Sequence, residues 1–243
     1  MDNGFYSVEF TVTESECDAD RRMMPGAFLR RVQQIATDQC TALGLTDEVY
    51  MRTHTAFLLA KQSAEFYVPV RPGQRVILTT CPSPEHRAVY NRFTELRDQD
   101  GTLLCASDTR WVLVDTQTRR ILRNVPEGFP DIFEQPFEKT LDMSVKKAQT
   151  QPCGSQTALY TRCDRNGHLN NTIYADIVCD AVPAEKILKQ GTERLVIIYH
   201  QEVPIGESFT LERAQTGGDR WYFCGKNDKT RHFEAELTLH HAE

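Results

Sequence analysis

Three side chains able to act on a reacting group stand at alternate positions in the second half of the chain. Asp164, Asn166 and His168 supply a carboxylate, an amide and an imidazole. In an extended backbone, side chains two residues apart project to the same side. The spacing therefore predicts one polar cluster in which all three side chains face together.

A helix is predicted directly after this cluster. Apolar residues recur with helical spacing over residues 173–182, Asn170 or Asn171 can serve as the N-cap, and Pro183 as the stop. The free N–H groups and the positive end of the helix dipole would then point at the cluster. That surrounding suits an anionic group or a developing oxyanion.

A second carboxylate, Glu202, ends a strand predicted over residues 194–203. Strand parity places it on the apolar face of Val196 and Ile198. A carboxylate in that position is either a base with a raised pKa or a solvated strand end. Spacing alone leaves both interpretations open, just as a histidine such as His168 can be a packed or surface residue.

The order of elements repeats along the chain. The pattern Cys17-Asp18-x-Asp20-x-x-Met23 returns as Cys163-Asp164-x-Asn166-x-x-Leu169, and the turn at Pro72-Gly73 returns at Ile205-Gly206. Such self-similarity indicates an internal duplication. The first half carries Arg22 at the position of His168 and Pro69 at that of Glu202, so this chemistry belongs to the second half alone. Because Asp18 repeats Asp164, a structural role at the helix entry remains open for both aspartates.

Each half is predicted to contain one helix and a following antiparallel meander. In the first half Pro25 opens a long amphipathic helix, with Phe28 and Val32 on its apolar stripe, and Gly44 ends it. Strands are predicted at residues 5–13, 57–70, 74–81, 88–97, 103–115, 194–203, 208–214, 221–227 and 232–240. An apolar helix face must be buried, so the fold class is α+β, with a long antiparallel sheet around two central helices.

Composition excludes several classes of function. The 243 residues carry a formal net charge of −6 without a long basic stripe, which argues against nucleic acid as a general partner. No basic segment followed by an apolar run opens the sequence, and no stretch approaches a membrane span, so we expect a cytoplasmic protein. The eight cysteines are scattered, which favours reduced, mostly packed thiols. Walker, dinucleotide-binding, nucleophile-elbow and zinc-protease motifs are absent.

The motifs together resemble those of the acyl-acyl carrier protein thioesterases, plant and bacterial enzymes built as a tandem hotdog. The matching segments are Asp164-x-Asn166-x-His168-x-Asn170-Asn171-x-x-Tyr174, Tyr199-x-x-Glu202, Pro72-Gly73, and the stretch from Thr109-Arg110-Trp111 through Thr118-Arg119-Arg120 to Val125-Pro126-Glu127. Two departures stand out. Val203 occupies the place of a cysteine in many plant members, so a thiol nucleophile cannot act from there. His200-Gln201 replaces a usual Arg-Arg pair.

The resemblance implies an N-terminal hotdog over residues 1–125 that holds the acyl chain, a linker over 126–151, and a catalytic C-terminal hotdog over 152–243. The activity implied is hydrolysis of fatty acyl-acyl carrier protein thioesters. Water is the nucleophile, or a carboxylate attacks. The site residues implied are Asp164, Asn166, His168 and Glu202, with either carboxylate as the base, and Phe28 and Val32 as candidate walls of the acyl pocket.

The resemblance implies neither a cofactor nor a metal. The partner would be acyl carrier protein with a phosphopantetheine-linked acyl chain, and a homodimer is left open. Two alternatives on the same fold are an acyl-CoA thioesterase and a catalytically inactive protein that only binds acyl groups. Dehydratase activity on this fold is a third possibility, but the polar cluster ahead of the helix fits thioester hydrolysis better.

Overall fold

The computed structural model describes residues 4–130, 139–228 and 230–241. Its helices are α1 (Pro25–Ala42), α2 (Asp47–Thr53), α3 (Ile173–Asp180) and α4 (Ala184–Gln190). Its strands are β1 (Tyr6–Thr11), β2 (Thr55–Phe66), β3 (Arg75–Pro82), β4 (Tyr90–Asp98), β5 (Leu103–Asp115), β6 (Gln151–Thr157), β7 (Thr192–Tyr199), β8 (Ser208–Gly217), β9 (Arg220–Lys226) and β10 (Arg231–Leu239).

The ten strands form one antiparallel sheet in the order β1-β3-β4-β5-β2-β7-β10-β9-β8-β6. Strands of the first half occupy one side and strands of the second half the other, in matching order. The two halves join where β2 pairs with β7, with Gln62 opposite Ile197 and Ala64 opposite Leu195. The duplication predicted from the sequence is therefore present as two sets of five strands that share one seam.

Helix α1 forms where the sequence predicts it. Pro25 is its first residue, where the missing N–H costs nothing, and Gly44 follows its end with φ at +86°. Phe28, Leu29 and Val32 are at most 2% exposed, so the apolar stripe is buried as expected. This long helix forms one wall of the interior.

The two central helices α1 and α3 pack against each other. A Cβ added to Gly26 would lie 1.8 Å from the Asp176 carboxylate, so only glycine permits this approach. Arg30 Nη1 donates to Asp176 Oδ2 at 2.8 Å. Arg30 and Asp176 are separated by 146 residues, the offset of the duplication, and the ion pair therefore joins equivalent positions of the two helices.

Several predicted boundaries are wrong. Helix α3 ends at Asp180, before the predicted stop, and Pro183 instead precedes α4. The short helices α2 and α4 were not predicted, because seven residues give too little periodicity to stand out. The predicted meander holds only for the last three strands of each half, since β2 pairs with β5 and β7 rather than with β3.

The described part of the predicted linker lies against buried carboxylates of the sheet; residues 131–138 are outside the described residues. The N–H of Leu141 donates to Asp108 at 3.0 Å, and Lys147 Nζ donates to Glu234 at 3.0 Å. Burial acts to raise the pKa of Glu234, but hydrogen bonds from Tyr222, Lys147 and His200 outweigh it and lower the pKa to about 2. The linker after residue 138 is thus fixed to both halves, and the domain boundaries remain a prediction.

The interior is continuous across the seam. Buried residues of α1 and α3 share one apolar cluster with the inward faces of both sets of strands. The structure has no disulfide among the eight cysteines, all of which it describes; Cys81, Cys105 and Cys224 are buried and Cys153 is exposed, and the reduced state stays a prediction. Within the described ranges, no helix has both the length and the apolar character needed to span a membrane.

Candidate active site

The segment that carries Asp164, Asn166 and His168 is a tight turn, so the prediction of extended backbone is wrong. Asp164 Oδ1 accepts the N–H of Asn166 at 2.8 Å and that of His168 at 3.3 Å. Gly167 has φ at +77°, a conformation open mainly to glycine. The side chain of Asp164 therefore holds the turn, and the three side chains do not project in parallel.

The first half contains the same turn. Asp18 Oδ1 accepts the N–H of Asp20 at 2.9 Å and that of Arg22 at 2.8 Å, and Arg21 takes the positive φ of Gly167. Two copies of one turn therefore use an aspartate in the same way, although only the second copy presents a histidine. This repetition favours a structural role for the Asp164 carboxylate.

Glu202 does not lie on a strand, which corrects its predicted parity. Strand β7 ends at Tyr199, and Glu202 is in the following loop with 57% of its side chain exposed. The loop pairs with the turn through the N–H of Leu169 to Val203 O at 2.9 Å and the N–H of Ile205 to Gly167 O at 2.8 Å. These two backbone hydrogen bonds bring Glu202 next to His168.

His168 and Glu202 are the two side chains best placed to act together on a reacting group. Nδ1 of His168 lies 3.4 Å from Oε2 of Glu202. This nitrogen is buried and makes no hydrogen bond within the part of the chain that the structure describes. Catalytic hydrogen bonds are often long without substrate and shorten in the complex. The pair can orient and deprotonate a water molecule.

In the first half, the equivalent positions make structural hydrogen bonds. The N–H of Met23 donates to Val70 O at 2.9 Å, which repeats the pairing of turn and loop. Arg22, at the position of His168, donates through its guanidinium to Asp20 and to the carbonyl of Leu188 at the end of α4. The scaffold is thus shared, whereas the imidazole and carboxylate occur once.

Asn166 and the start of α3 supply hydrogen-bond donors beside the pair. The Asn166 side chain is exposed and forms no hydrogen bond with the described residues.

Thr172, rather than Asn170 or Asn171, is the N-cap of α3, and its N–H donates to Asn170 Oδ1 at 2.9 Å. The N–H of Ile173 donates to the Asn170 carbonyl, so two donors predicted for an oxyanion are already engaged. The N–H of Asn171 has no acceptor among the residues described and remains available.

Tyr199 fixes this region to the seam of the sheet. Its hydroxyl donates to the Asn171 carbonyl at 2.9 Å and contacts Gln62 Oε1 at 3.3 Å. Burial raises its pKa well above the ordinary range, and the phenol of Tyr174 beside it adds to the effect. Tyr199 therefore stays neutral and acts as a hydrogen-bond donor that orients the start of α3.

A small cavity lies between the start of α3 and residues of the first half. It is lined by Leu29, Val32, Gln33, Ala36, Leu59, Gln62, Arg92, Thr109, Trp111, Asn171 and Thr172. Its volume is about 10 Å³, room for one water. Of the two predicted wall residues, Val32 lines the cavity, whereas Phe28 is fully buried and packs edge-on against Phe66 at 5.6 Å.

Sequence reasoning missed the polar residues of this cavity. Gln62, Arg92 and Thr109 lie on three different strands, and only the strand order brings them together. No local pattern marks them, because Arg92 lies in a strand of mixed polar and apolar residues, and arginine is rarely fully buried. Among the residues the structure describes, no three side chains of His, Cys, Asp or Glu form a metal-binding group.

Substitutions at the two aspartates separate a structural from a chemical role. Asp164→Asn keeps the Oδ1 acceptor, so we expect the turn to persist and kcat to stay within about tenfold of the parent. Asp18→Ala and Asp164→Ala should each lower the free energy of unfolding by about 1–2 kcal/mol, because each leaves two N–H groups without their acceptor. Denaturant unfolding and steady-state kinetics measure both effects. An Asp164→Asn variant that is folded but loses more than about a hundredfold in kcat would make Asp164 part of the chemistry.

Both halves of the chain match one family of known proteins. A family model described as the acyl-ACP thioesterase N-terminal domain matches residues 3–133, and one described as the acyl-ACP thioesterase C-terminal domain matches residues 149–239. The chain is 21% identical over 237 residues to oleoyl-acyl carrier protein thioesterase 1, chloroplastic, of Arabidopsis thaliana. It is 23% identical over 224 residues to thioesterase 2 of that plant. These matches cover 88% and 83% of this chain but 65% and 61% of the plant proteins, so the chain spans less than two thirds of their length.

Solved structures resemble the whole chain. An acyl-ACP thioesterase from Bacteroides thetaiotaomicron aligns with a TM-score of 0.87 at 17% identity, covering 98% of both chains. The 12:0-ACP thioesterase from Umbellularia californica aligns with a TM-score of 0.86 at 18% identity, again over 98% of both chains. These likenesses confirm the predicted fold, a tandem hotdog with one antiparallel sheet around two central helices.

Proposed function

The chain belongs to the acyl-ACP thioesterase family, and we propose that it hydrolyses fatty acyl thioesters of acyl carrier protein to free fatty acid and holo-acyl carrier protein. One observation carries the assignment of the site. His168 and Glu202 meet at 3.4 Å in the second half, while the same scaffold in the first half has Arg22 and Pro69 instead. Selective placement of an imidazole and a carboxylate on one of two like scaffolds supports a chemical function for that half.

In the proposed reaction Glu202 is the general base and His168 orients the attacking water. The water oxygen bonds to the thioester carbonyl carbon while its proton passes to Glu202. The tetrahedral oxyanion then collapses, the carbon–sulfur bond breaks, and the pantetheine thiolate takes up the proton. The water needs no metal or thiol nucleophile to attack, because a positioned carboxylate can accept its proton.

Hydrogen-bond donors beside the pair stabilise the oxyanion. We assign this role to the N–H of Asn171, whose peptide neighbourhood is held by the Tyr199 hydroxyl, and to the side-chain amide of Asn166. Removing one such donor typically costs two to three orders of magnitude in kcat. Asp164 holds the turn that carries Asn166 and His168 and does not attack the substrate.

The acyl chain occupies the cavity between the start of α3 and the first half. Leu29, Val32 and Ala36 of α1 supply one apolar wall, and Leu59 of β2 supplies another. Because the cavity without substrate holds about one water, the chain enters by displacing side chains. The apolar walls would gain free energy by contact with a hydrocarbon chain.

The proposal is tested by release of free thiol from one acyl group carried by acyl carrier protein or by CoA. We expect a kcat/KM at least about tenfold higher for the carrier protein, because its surface adds contacts that CoA lacks. A higher value for CoA would make the chain an acyl-CoA thioesterase. Binding of acyl carrier protein without hydrolysis of any thioester would leave a binding protein and overturn the assignment.

A further inference from the structure

A charged side chain lines the cavity at the wall formed by the first half. Arg92 on β4 is 6% exposed and is the only lysine or arginine among the residues that line it. Burial acts to lower the pKa of its guanidinium, which nevertheless stays protonated at any ordinary pH. A buried cation in a site for hydrocarbon requires an explanation.

Neutral groups hold the Arg92 guanidinium in place. Nη1 donates to Gln39 Oε1 and to Thr80 Oγ1, the latter at 3.2 Å, and Nη2 contacts Cys40 Sγ at 3.5 Å. Gln39 is fully buried, and its amide nitrogen donates to the Gly4 carbonyl at 2.8 Å. Within the described ranges, no carboxylate forms an ion pair with Arg92. The side chain is therefore fixed between α1 and β3 by hydrogen bonds that a shift would break.

The start of α3 forms another part of the cavity wall. Asn171 and Thr172 line it there, and Asn171 carries the N–H assigned to the oxyanion. An acyl chain whose carbonyl accepts that N–H would therefore enter the cavity that Arg92 also lines. A terminal methyl group that reaches the guanidinium cannot accept a hydrogen bond, and displacing Arg92 would leave buried donors and Gln39 without partners. Longer chains are thus opposed at this point.

We propose that Arg92 forms the closed end of the acyl cavity and sets the longest acyl chain that the enzyme accepts. This inference rests on the proposed function, since it assumes that the cavity holds the acyl group. Arg92 acts by excluding chain length and takes no part in bond breaking. Its neighbours Gln39 and Thr80 act through it as positioning residues.

The test compares the parent with Arg92→Leu, which is apolar and shorter. We expect the ratio of kcat/KM for tetradecanoyl over octanoyl carrier protein to rise by about tenfold or more, since hydrophobic pockets discriminate by such factors per one or two methylenes. Octanoyl hydrolysis should stay within about threefold of the parent. Arg92→Met, which keeps most of the side-chain length, provides a second variant if Arg92→Leu does not fold. Arg97→Leu, on the same strand and outside the cavity, is the matched control.

Binding of free fatty acids provides a readout that does not depend on hydrolysis. Trp111 lines the cavity, so its fluorescence should report occupancy, with Trp111→Phe as the blank. We expect the Arg92 variants to lower the Kd of tetradecanoate relative to octanoate by about the same factor as they change the kinetic ratio. If the parent fails to hydrolyse any thioester, the proposed function falls, and the change in Kd still tests Arg92.

Two results would overturn the inference. Folded Arg92 variants with the parent's chain-length profile and fatty-acid affinities would mean that the chain ends elsewhere. A parent that prefers acyl chains with a terminal carboxylate over methyl-ended chains of equal length would make Arg92 a ligand for the substrate rather than a stop. Both comparisons use the full chain under one set of conditions.

Discussion

The Glu202→Gln variant is expected to lose about two to four orders of magnitude in kcat on an acyl carrier protein thioester, the usual contribution of a positioned base. Glutamine keeps the size of the side chain and its carbonyl oxygen but cannot accept the proton of water. Because Glu202 lies in an exposed loop with 57% of its side chain in solvent, the free energy of unfolding should change by less than about 0.5 kcal/mol. Steady-state thiol release and denaturant unfolding measure the two quantities.

Glu207→Gln is the matched control for this variant. Glu207 is an exposed glutamate that follows the same loop, and among the described residues its side chain makes no hydrogen bond. We expect it to keep kcat within about twofold of the parent. A Glu202→Gln variant that is folded and as active as Glu207→Gln would remove Glu202 from the mechanism.

The His168→Asn variant is expected to lower kcat by about a hundredfold or more. Asparagine can place an amide nitrogen near the position of Nδ1, beside Glu202, but it has no counterpart of the ring Nε2, so the water loses the imidazole nitrogen that orients it towards the base. The ring lies in a turn held by backbone hydrogen bonds, which do not depend on its side chain. The fold should therefore persist, as circular dichroism and thermal unfolding can verify.

A double variant that combines His168→Asn with Glu202→Gln tests whether these two residues act together. If His168 works through the water that Glu202 deprotonates, the double variant should be no slower than the slower single variant. His86→Asn, an exposed histidine away from the site, controls for the loss of an imidazole. Losses that multiply in the double variant would mean that His168 and Glu202 act in separate steps.

Strong local signals made much of the fold predictable. Proline at the first position of α1, the apolar stripe that includes Val32, and the repeated Cys-Asp pattern all describe neighbouring residues, and each is confirmed. The duplication then implied the two sets of strands. Short helices such as α2 escaped because their burial comes from tertiary packing rather than from a periodic sequence.

Two local signals compete at the turn that contains Asp164. Asn166-Gly167 is a dipeptide typical of tight turns, whereas the alternation of Asp164, Asn166 and His168 favours extended backbone. The turn is more stable than extended backbone here, because Gly167 can adopt a positive φ and the Asp164 carboxylate accepts two N–H groups.

The contact between His168 and Glu202 could not be derived from spacing. It depends on backbone pairing between segments more than thirty residues apart, around Leu169 and Val203. The grouping of Gln62, Arg92 and Trp111 likewise depends on strand order, which local patterns do not specify. Strand position marked Glu202 as one of two open interpretations and gave it the wrong environment, and only the resemblance to a family implied a site role for it.

The role of Glu202 as the base that activates water is tested by a single turnover with enzyme in excess over an acyl carrier protein thioester, in water enriched in heavy oxygen. If Glu202 activates water, the first fatty acid released carries one heavy oxygen, the protein carries none, and no acyl group is found on the protein at any time. An unlabelled first product, with the label or a transient acyl group on Asp164 or Glu202, would show that this carboxylate is the nucleophile and that water does not attack the thioester directly.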